Sequence, residues 1–250
     1  MTVADQNIHR FFATPAAPCP YLPERTERKL FTPLVGGESN RLHDLLSASG
    51  FRRSQRIIYK PACEECCSCV PVRVRAAEFR ETRSLRRIER RNTDLKIMEQ
   101  PPVATSEQFD LFQRYQRNRH KDSGMAEMDF GDYQDMVEDT TVSTSVIEFR
   151  DPNDGLVAAC LTDRMGDGFS LCYSFFDPDV RLRSLGTLVV LWHIREAQRL
   201  GMPHVYLGYW IAESRKMSYK TRFQPLEGLV FTLQNWNDLR EATSQSIEPL

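Results

Sequence analysis

Hydrophobic positions change their spacing along this chain, and each change marks an element. RKLFTPLV (28–35) reads as a short strand, and ESNRLHDLLSASG (38–50) as a helix that Gly50 ends. FRRSQRIIYKPA (51–62) and CVPVRVRAAEF (69–79) alternate like strands of one small sheet, with a cysteine-rich turn between them. SLRRIERRN (84–92) has the period of a short helix. After Gln100 the order becomes regular: strand DLKIMEQ, helices SEQFDLFQRYQRNRH and FGDYQDMVED, then strands STSVIEFR, GLVAACLTDR and FSLCYSFF. The turn signals PNDG and MGDG join those three strands as hairpins. A long helix over 183–201, strand HVYLGYW, helix ESRKMSYKTRF and strand GLVFTLQNW complete the pattern.

From Asp94 onward the predicted order is β-α-α-β-β-β-α-β-α-β, that of GNAT-like acyltransferases. The expected fold class is therefore α+β, a GNAT-like domain whose mixed sheet is flanked by helices, preceded by a small cysteine-containing α/β module. Pro101-Pro102 breaks the chain, which places the expected boundary between residues 1–100 and 101–250. No repeat or low-complexity segment is visible.

Composition changes this picture little. Hydrophobic residues make up 41% and charged residues 27%, as in ordinary soluble domains. No apolar run approaches the ~18 residues of a membrane span. MTVADQNIHRFF lacks the apolar segment of a secretory signal, so no membrane association and a cytoplasmic location are expected. Charge adds more. Residues 1–100 hold 18 Lys+Arg against 12 Asp+Glu, and the remainder 15 against 22, so the first part suits an anionic partner.

That excess is concentrated. Arg83, Arg86, Arg87, Arg90 and Arg91 follow helical spacing and place five guanidinium groups on one face. Such a face suits phosphates, each of which a guanidinium can grip through two N–H groups. It could equally be a solvated surface paired with Glu78, Glu81 and Glu89, although three acids do not balance the eight arginines from Arg73 to Arg91.

Seven cysteines, an odd number, argue against a disulfide framework. Cys63, Cys66, Cys67 and Cys69 crowd one turn, and with Cys19 they could ligate zinc or an iron–sulfur cluster. Reduced, half-packed thiols are the alternative. Cys66 and Cys67 are adjacent, and a second CxxC pair is missing.

Arg183-x-x-Gly186 opens the long helix and half-matches the pyrophosphate loop of acyl-CoA users, with Leu188 where a second Gly or Ala belongs. A helix N-terminus facing a phosphate, with a donor other than CoA, is the expectation. Lys216, Tyr219 and Lys220 sit within one turn and could contact phosphate or substrate, or form plain surface. Gly208, amid aromatics, suggests close backbone approach. His43, His120, His193 and His204 lack metal-type spacing, and no nucleophile elbow, Walker loop or zinc-protease motif is present.

Several separated segments resemble, in order, one family. CPYLP (19–23), YKPACEECCSCVPVRV (59–74) and RSLRRIERRN (83–92) resemble the N-terminal module of arginyl-tRNA–protein transferases. RYQRNRHKDSGM (114–125), YSFFDP (173–178), RSLGT (183–187), VYLGYW (205–210) and KMSYKTRFQPLE (216–227) resemble their C-terminal module. Length and cysteine pattern are most similar to the bacterial aspartate/glutamate leucyltransferases. The resemblance implies leucine transfer from leucyl-tRNA to proteins beginning with Asp or Glu, creating a destabilising N-terminus. DNA is not an expected partner.

In that reading Arg83, Arg86, Arg87, Arg90, Arg183, Gly186, Lys216 and Lys220 are the tRNA candidates, and Arg73, Arg75 and Tyr59 the acceptor candidates. Tyr173 and Asp177 are the catalytic candidates, and backbone N–H groups beside FSLCYSFF could hold the oxyanion. Eukaryotic-type members carry a CGYC motif and an adjacent Cys pair associated with metal. Cys19 and Cys66-Cys67 match, but Leu22 replaces the second cysteine of the motif, so Cys19, Cys63, Cys66 and Cys67 stand as metal candidates. Aminolysis of an activated ester itself requires no cofactor. Arginyl transfer from arginyl-tRNA, an acyl-CoA-dependent N-acyltransferase, and a non-enzymatic RNA- or metal-binding regulator are the alternatives.

Overall fold

The computed structural model describes residues 9–119, 124–230 and 235–245. His120 and the 231–234 stretch of the last predicted strand lie outside these. In chain order the described elements begin with β1 (Phe12–Ala13), β2 (Ala17–Pro18), β3 (Thr26–Glu27), β4 (Lys29–Pro33), α1 (Ser39–Ala48), β5 (Arg52–Ser54) and β6 (Ile57–Pro61). Then come β7 (Val70–Arg75), α2 (Arg83–Arg91), β8 (Lys96–Gln100), α3 (Ser106–Arg119) and α4 (Phe130–Glu138). The last are β9 (Thr144–Arg150), β10 (Leu156–Met165), β11 (Gly168–Phe176), α5 (Leu185–Leu200), β12 (His204–Trp210), β13 (Leu226–Val230), β14 (Asn235–Asp238) and α6 (Leu239–Gln245).

An eight-stranded sheet in the order β14-β13-β7-β12-β11-β10-β9-β8 forms the centre. All its pairs are antiparallel except β11 with β12. β1, β4, β6 and β5 make a separate four-stranded sheet. The period of two along β9–β11 sends side chains to both faces of the large sheet. On one face Ile147, Phe149, Cys160, Phe169 and Leu171 meet Leu85 and Ile88 of α2 and Leu188, Leu191 and Ile194 of α5. On the other, Val146, Ala159, Leu161 and Phe175 meet Leu111 and Phe112 of α3 and Tyr133 and Val137 of α4. Each fully buried Leu, Ile or Phe contributes about 1.5–3 kcal/mol, so covering both faces makes this sheet the main source of stability.

Local sequence sets the helix ends. Asp129 and Asp132 cap α4 reciprocally, through Asp132 N to Asp129 Oδ1 at 2.9 Å and Asp129 N to Asp132 Oδ2 at 3.1 Å. The Thr82 hydroxyl accepts from Leu85 N at the start of α2, and Gly201 closes α5 with φ +68°.

Four expectations change. β7 does not join the hairpin of β5 and β6 but lies between β12 and β13, so strands from both sides of Gln100 share the central sheet. Its Val70, Val72 and Val74 are all buried, as suits an interior strand. β13, which ends at Val230, and β14, which begins at Asn235, pair antiparallel rather than forming one strand. Residues 215–222 form a 3-10 helix: the inward positions Met217, Lys220 and Phe223 recur every three residues, the period of that helix. Finally, α6 follows β14, its start capped by Asp238 Oδ1 accepting from Arg240 N at 3.0 Å.

Candidate active site

β11 and β12 pair only over Gly168–Ser170 and His204–Tyr206. Beyond that they separate, leaving a wedge between residues 171–176 and 207–210. A bulge at Cys172, between the pairs Leu161–Tyr173 and Thr162–Leu171, turns the backbone of β11 at the opening. Arg52 of the small sheet fills the wedge. Its Nη2 donates to the carbonyls of Leu171 at 2.8 Å and Cys172 at 3.1 Å. Gly208, with φ +75°, makes room for it: a Cβ there would lie 1.6 Å from Arg52 Nη1. This is the close backbone approach expected of Gly208.

At the open end of β11 and the N-terminus of α5 lies a cleft of about 560 Å³. Apolar walls come from Tyr115, Phe176, Val180 and Leu185; Arg119, Arg181 and Lys216 are its cations and Asp177 its acid. The Arg119 guanidinium stands 5.3 Å from the Phe176 ring centroid. Tyr219, which lines the same cleft, lies within electrostatic reach of Arg52. Ser174 and Phe176, on the β11 side of the wedge, also line this cleft.

The tRNA candidates divide three ways. Arg83, Arg86, Arg87, Arg90 and Arg91 are all exposed on α2, as its helical period requires. Arg86 pairs with Glu81 at 2.8 Å and Arg91 donates to the Leu182 carbonyl, whereas Arg83, Arg87 and Arg90 have no ion pair among the described residues. Arg183 is held in a two-pronged bridge to Asp94, at 2.9 and 2.8 Å, and so braces α2 against the start of α5. Gly186 lines the cleft, but its missing side chain makes room for Phe176, whose ring would lie 2.7 Å from a Cβ. Lys216 is exposed in the cleft.

Lys220 is not available to a phosphate. It is 5% exposed, and its Nζ donates to the Tyr209 carbonyl. Burial, and next the charge of Arg52, pull its pKa down to about 7. Lysine at one position of a 3-10 turn and lysine four residues earlier face opposite environments, which spacing read as an α-helix could not separate.

Two of the acceptor candidates are already occupied. Arg73 Nε bonds Glu227 at 2.8 Å, its Nη1 bonds the Tyr206 hydroxyl at 3.1 Å, and its guanidinium lies 4.2 Å from the Trp236 ring centroid. Arg75 lies 3.4 Å from Glu78 and 3.8 Å from Glu227. Glu227 is 154 residues along the chain from Arg73, too far for any local pattern to reveal. Tyr59 is half-buried on β6, and its carbonyl accepts from the Tyr209 hydroxyl at 3.2 Å.

Of the catalytic candidates, Asp177 borders the cleft with its carboxylate engaged by Arg114 at 3.3 Å and Asp179 N at 2.9 Å. The Tyr173 hydroxyl accepts from Gln116 at 2.6 Å, and burial holds its pKa above the usual range. Cys19, Cys63 and Cys66 gather about Cys69; burial first, then these three thiols, push Cys69 up to about 12. Burial opposes ionisation of Cys66 too, but hydrogen bonds with Ser68 and Arg25 outweigh it and leave its pKa lowered. Among the described residues no three His, Cys, Asp or Glu side chains stand as a metal-holding group.

A mixed sheet with one splayed parallel pair, and a helix N-terminus at the splay, is a GNAT-like architecture. Two family models match the chain: Arginine-tRNA-protein transferase, N terminus, over residues 17–87, and Arginine-tRNA-protein transferase, C terminus, over 107–230. An aspartate/glutamate leucyltransferase of Paramagnetospirillum magneticum is 55% identical over 219 residues, covering 88% of this chain and 90% of that protein. One from Rhodospirillum rubrum is 52% identical over 229 residues, covering 91% and 92%. Among solved structures, L-PGS from Bacillus licheniformis is similar with a TM-score of 0.49 and 12% identity, over 64% of this chain and 58% of that one. The chain belongs to the arginine-tRNA-protein transferase family of aminoacyl-tRNA–protein transferases. No helix among the described residues is long and apolar enough to cross a membrane.

Proposed function

We propose that this enzyme transfers leucine from leucyl-tRNA to the N-terminal amine of cytoplasmic proteins that begin with Asp or Glu, marking them for degradation. The observation that carries the reading is the cleft at the start of α5, continuous with the basic face of α2. Arg91 and the Arg183–Asp94 bridge tie the end of α2 to the residues just before α5. An acceptor stem lying along Arg83, Arg87 and Arg90 would thus deliver its 3′ end to Arg119, Arg181 and Lys216. The names of the relatives support leucine as the group transferred, and so does the cleft. Its walls are largely apolar, and its acid, Asp177, is already bound to Arg114, so nothing there awaits a guanidinium.

CoA fits less well. The Phe176 ring packs against Gly186, where a pyrophosphate would need open space at the helix end. In the reaction the neutral α-amine attacks the ester carbonyl carbon, a nitrogen–carbon bond forms, and the ester carbon–oxygen bond breaks. The ribose hydroxyl of the tRNA leaves with the proton shed by nitrogen. The ester is already activated, so positioning by the cleft supplies most of the advantage.

The test is direct. Purified protein receives leucyl-tRNA, arginyl-tRNA or acetyl-CoA with a peptide that begins with Asp. Leucine transfer is expected, and acetylation without transfer from any tRNA would overturn the reading.

A further inference from the structure

We propose that Arg52 binds the side-chain carboxylate of the acceptor's first residue. This rests on the functional reading above and adds where the acidic residue is read.

Arg52 is a cation held inside the protein without an anion, and its neighbour Lys220, with a pKa of about 7, is only partly charged near neutral pH. Lys220 is almost wholly buried, and Arg52 is enclosed on most sides with a minor part open to solvent. Among the described residues neither has a carboxylate within ion-pair distance. Their hydrogen bonds go to neutral carbonyls: Leu171 and Cys172 for Arg52, Tyr209 for Lys220. Two cations so close repel one another, which is part of why Lys220 gives up its proton readily. Nor do neighbours supply negative charge near neutral pH, because burial pushes Tyr209, Cys172 and Tyr21 up and takes Cys69 to about 12.

Uncompensated buried charge is costly, and elsewhere this chain avoids it. Arg73, Arg53, Arg183 and Arg150 each meet a carboxylate. An arriving carboxylate would supply the missing charge and engage the N–H groups that Arg52 does not spend on β11. The position suits the chemistry as well. Arg52 lies in the wedge bonded to β11, the strand whose Ser174 and Phe176 line the donor cleft. A side chain anchored there would hold its own α-amine toward the cleft.

A structural role for Arg52, as a mere plug of the wedge, predicts different data. The test uses the full chain with leucyl-tRNA and two peptides that differ only in beginning with Asp or Asn. In Arg52→Gln, kcat/KM for the Asp peptide should fall at least tenfold and the Asp-to-Asn preference should collapse toward one, with the KM for leucyl-tRNA little moved. Arg52→Lys should restore part of the preference. A second measurement needs no variant: phenylglyoxal labelling of Arg52 in the wild type, read by mass spectrometry, should be slowed by the Asp peptide and not by the Asn peptide. An Asp-to-Asn preference that survives Arg52→Gln, or equal protection by the two peptides, would overturn the proposal. Wild-type protein that transfers leucine to neither peptide would instead bring down the functional reading, and this one with it.

Discussion

Arg52 and Arg53 are neighbours on β5, and alternation along the strand sends them to opposite fates. Arg53 enters a closed set. Its Nε and Nη2 bond the two Asp163 oxygens at 2.6 and 2.7 Å, Thr144 and Cys172 donate to the same carboxylate at 2.8 and 3.0 Å, and His43 lies 3.4 Å away. Burial drives the His43 pKa down, so beside this matched pair it is neutral. Arg52 enters a set left open. Cys172 touches both, its thiol on Asp163 and its carbonyl on Arg52. The difference teaches that a charge answered within the chain holds the small sheet to the large one, while a charge left unanswered beside a cleft is reserved for something that arrives.

The largest test of this contrast is Asp163→Asn. It leaves Arg53 buried without its anion and should cost about 3–5 kcal/mol in denaturant melts. Arg52→Gln should cost far less, and equal losses would erase the distinction.

Next comes pH. The Lys220 pKa is about 7 in the fold against 10.5 for an ordinary lysine, so the unfolded chain holds more protons between those values. Stability should therefore rise as pH increases from about 7 toward 10, by roughly 2 kcal/mol over the first two units. Lys220→Met should flatten that rise, and an unchanged slope would place the titrating group elsewhere.

Of similar size is Gly208→Ala. Its φ of +75° and the 1.6 Å clash with Arg52 should cost about 1–3 kcal/mol and displace the guanidinium. The variant should then share the lost Asp-to-Asn preference of Arg52→Gln; retained preference would detach Arg52 from acceptor recognition.

Smallest for the fold is the exposed face of α2. Replacing Arg83, Arg87 and Arg90 together with Gln should leave melting nearly unchanged. The slope of log affinity for tRNA against log salt should flatten by about 2–3 units. An unchanged slope would make those arginines plain solvated surface.

Much of the fold was legible because its signals are local. The strands β8 to β12 and the helices α2 to α5 carry their periods, caps and turn residues within themselves. The site was legible only in part. Gly186, Lys216 and Asp177 were found at the cleft, and the basic face of α2 is where spacing put it. That Arg73 and Arg75 already meet a carboxylate could not be read from spacing, which says nothing about Glu227, brought opposite by β13. Arg52 was missed because FRRSQRIIY marks a strand without saying which of its arginines will meet Asp163, more than a hundred residues away. Lys220 was taken with Lys216 as a tRNA contact because both sit in one hydrophilic turn, although Met217, Lys220 and Phe223 already carried the three-residue period of the inward face.

The place of β7 has a consequence for how the molecule is made. Its two sheet partners, β12 and β13, are synthesised more than a hundred residues after it. During translation its three valines have no strand to pair with, and the central sheet cannot close until nearly the whole chain has left the ribosome. Pairing across such separations is slow, so nascent chains should depend on chaperones through this interval. Halves cut at Gln100 would each expose an unpaired strand edge, and co-expressing them should recover a complete sheet where neither alone does.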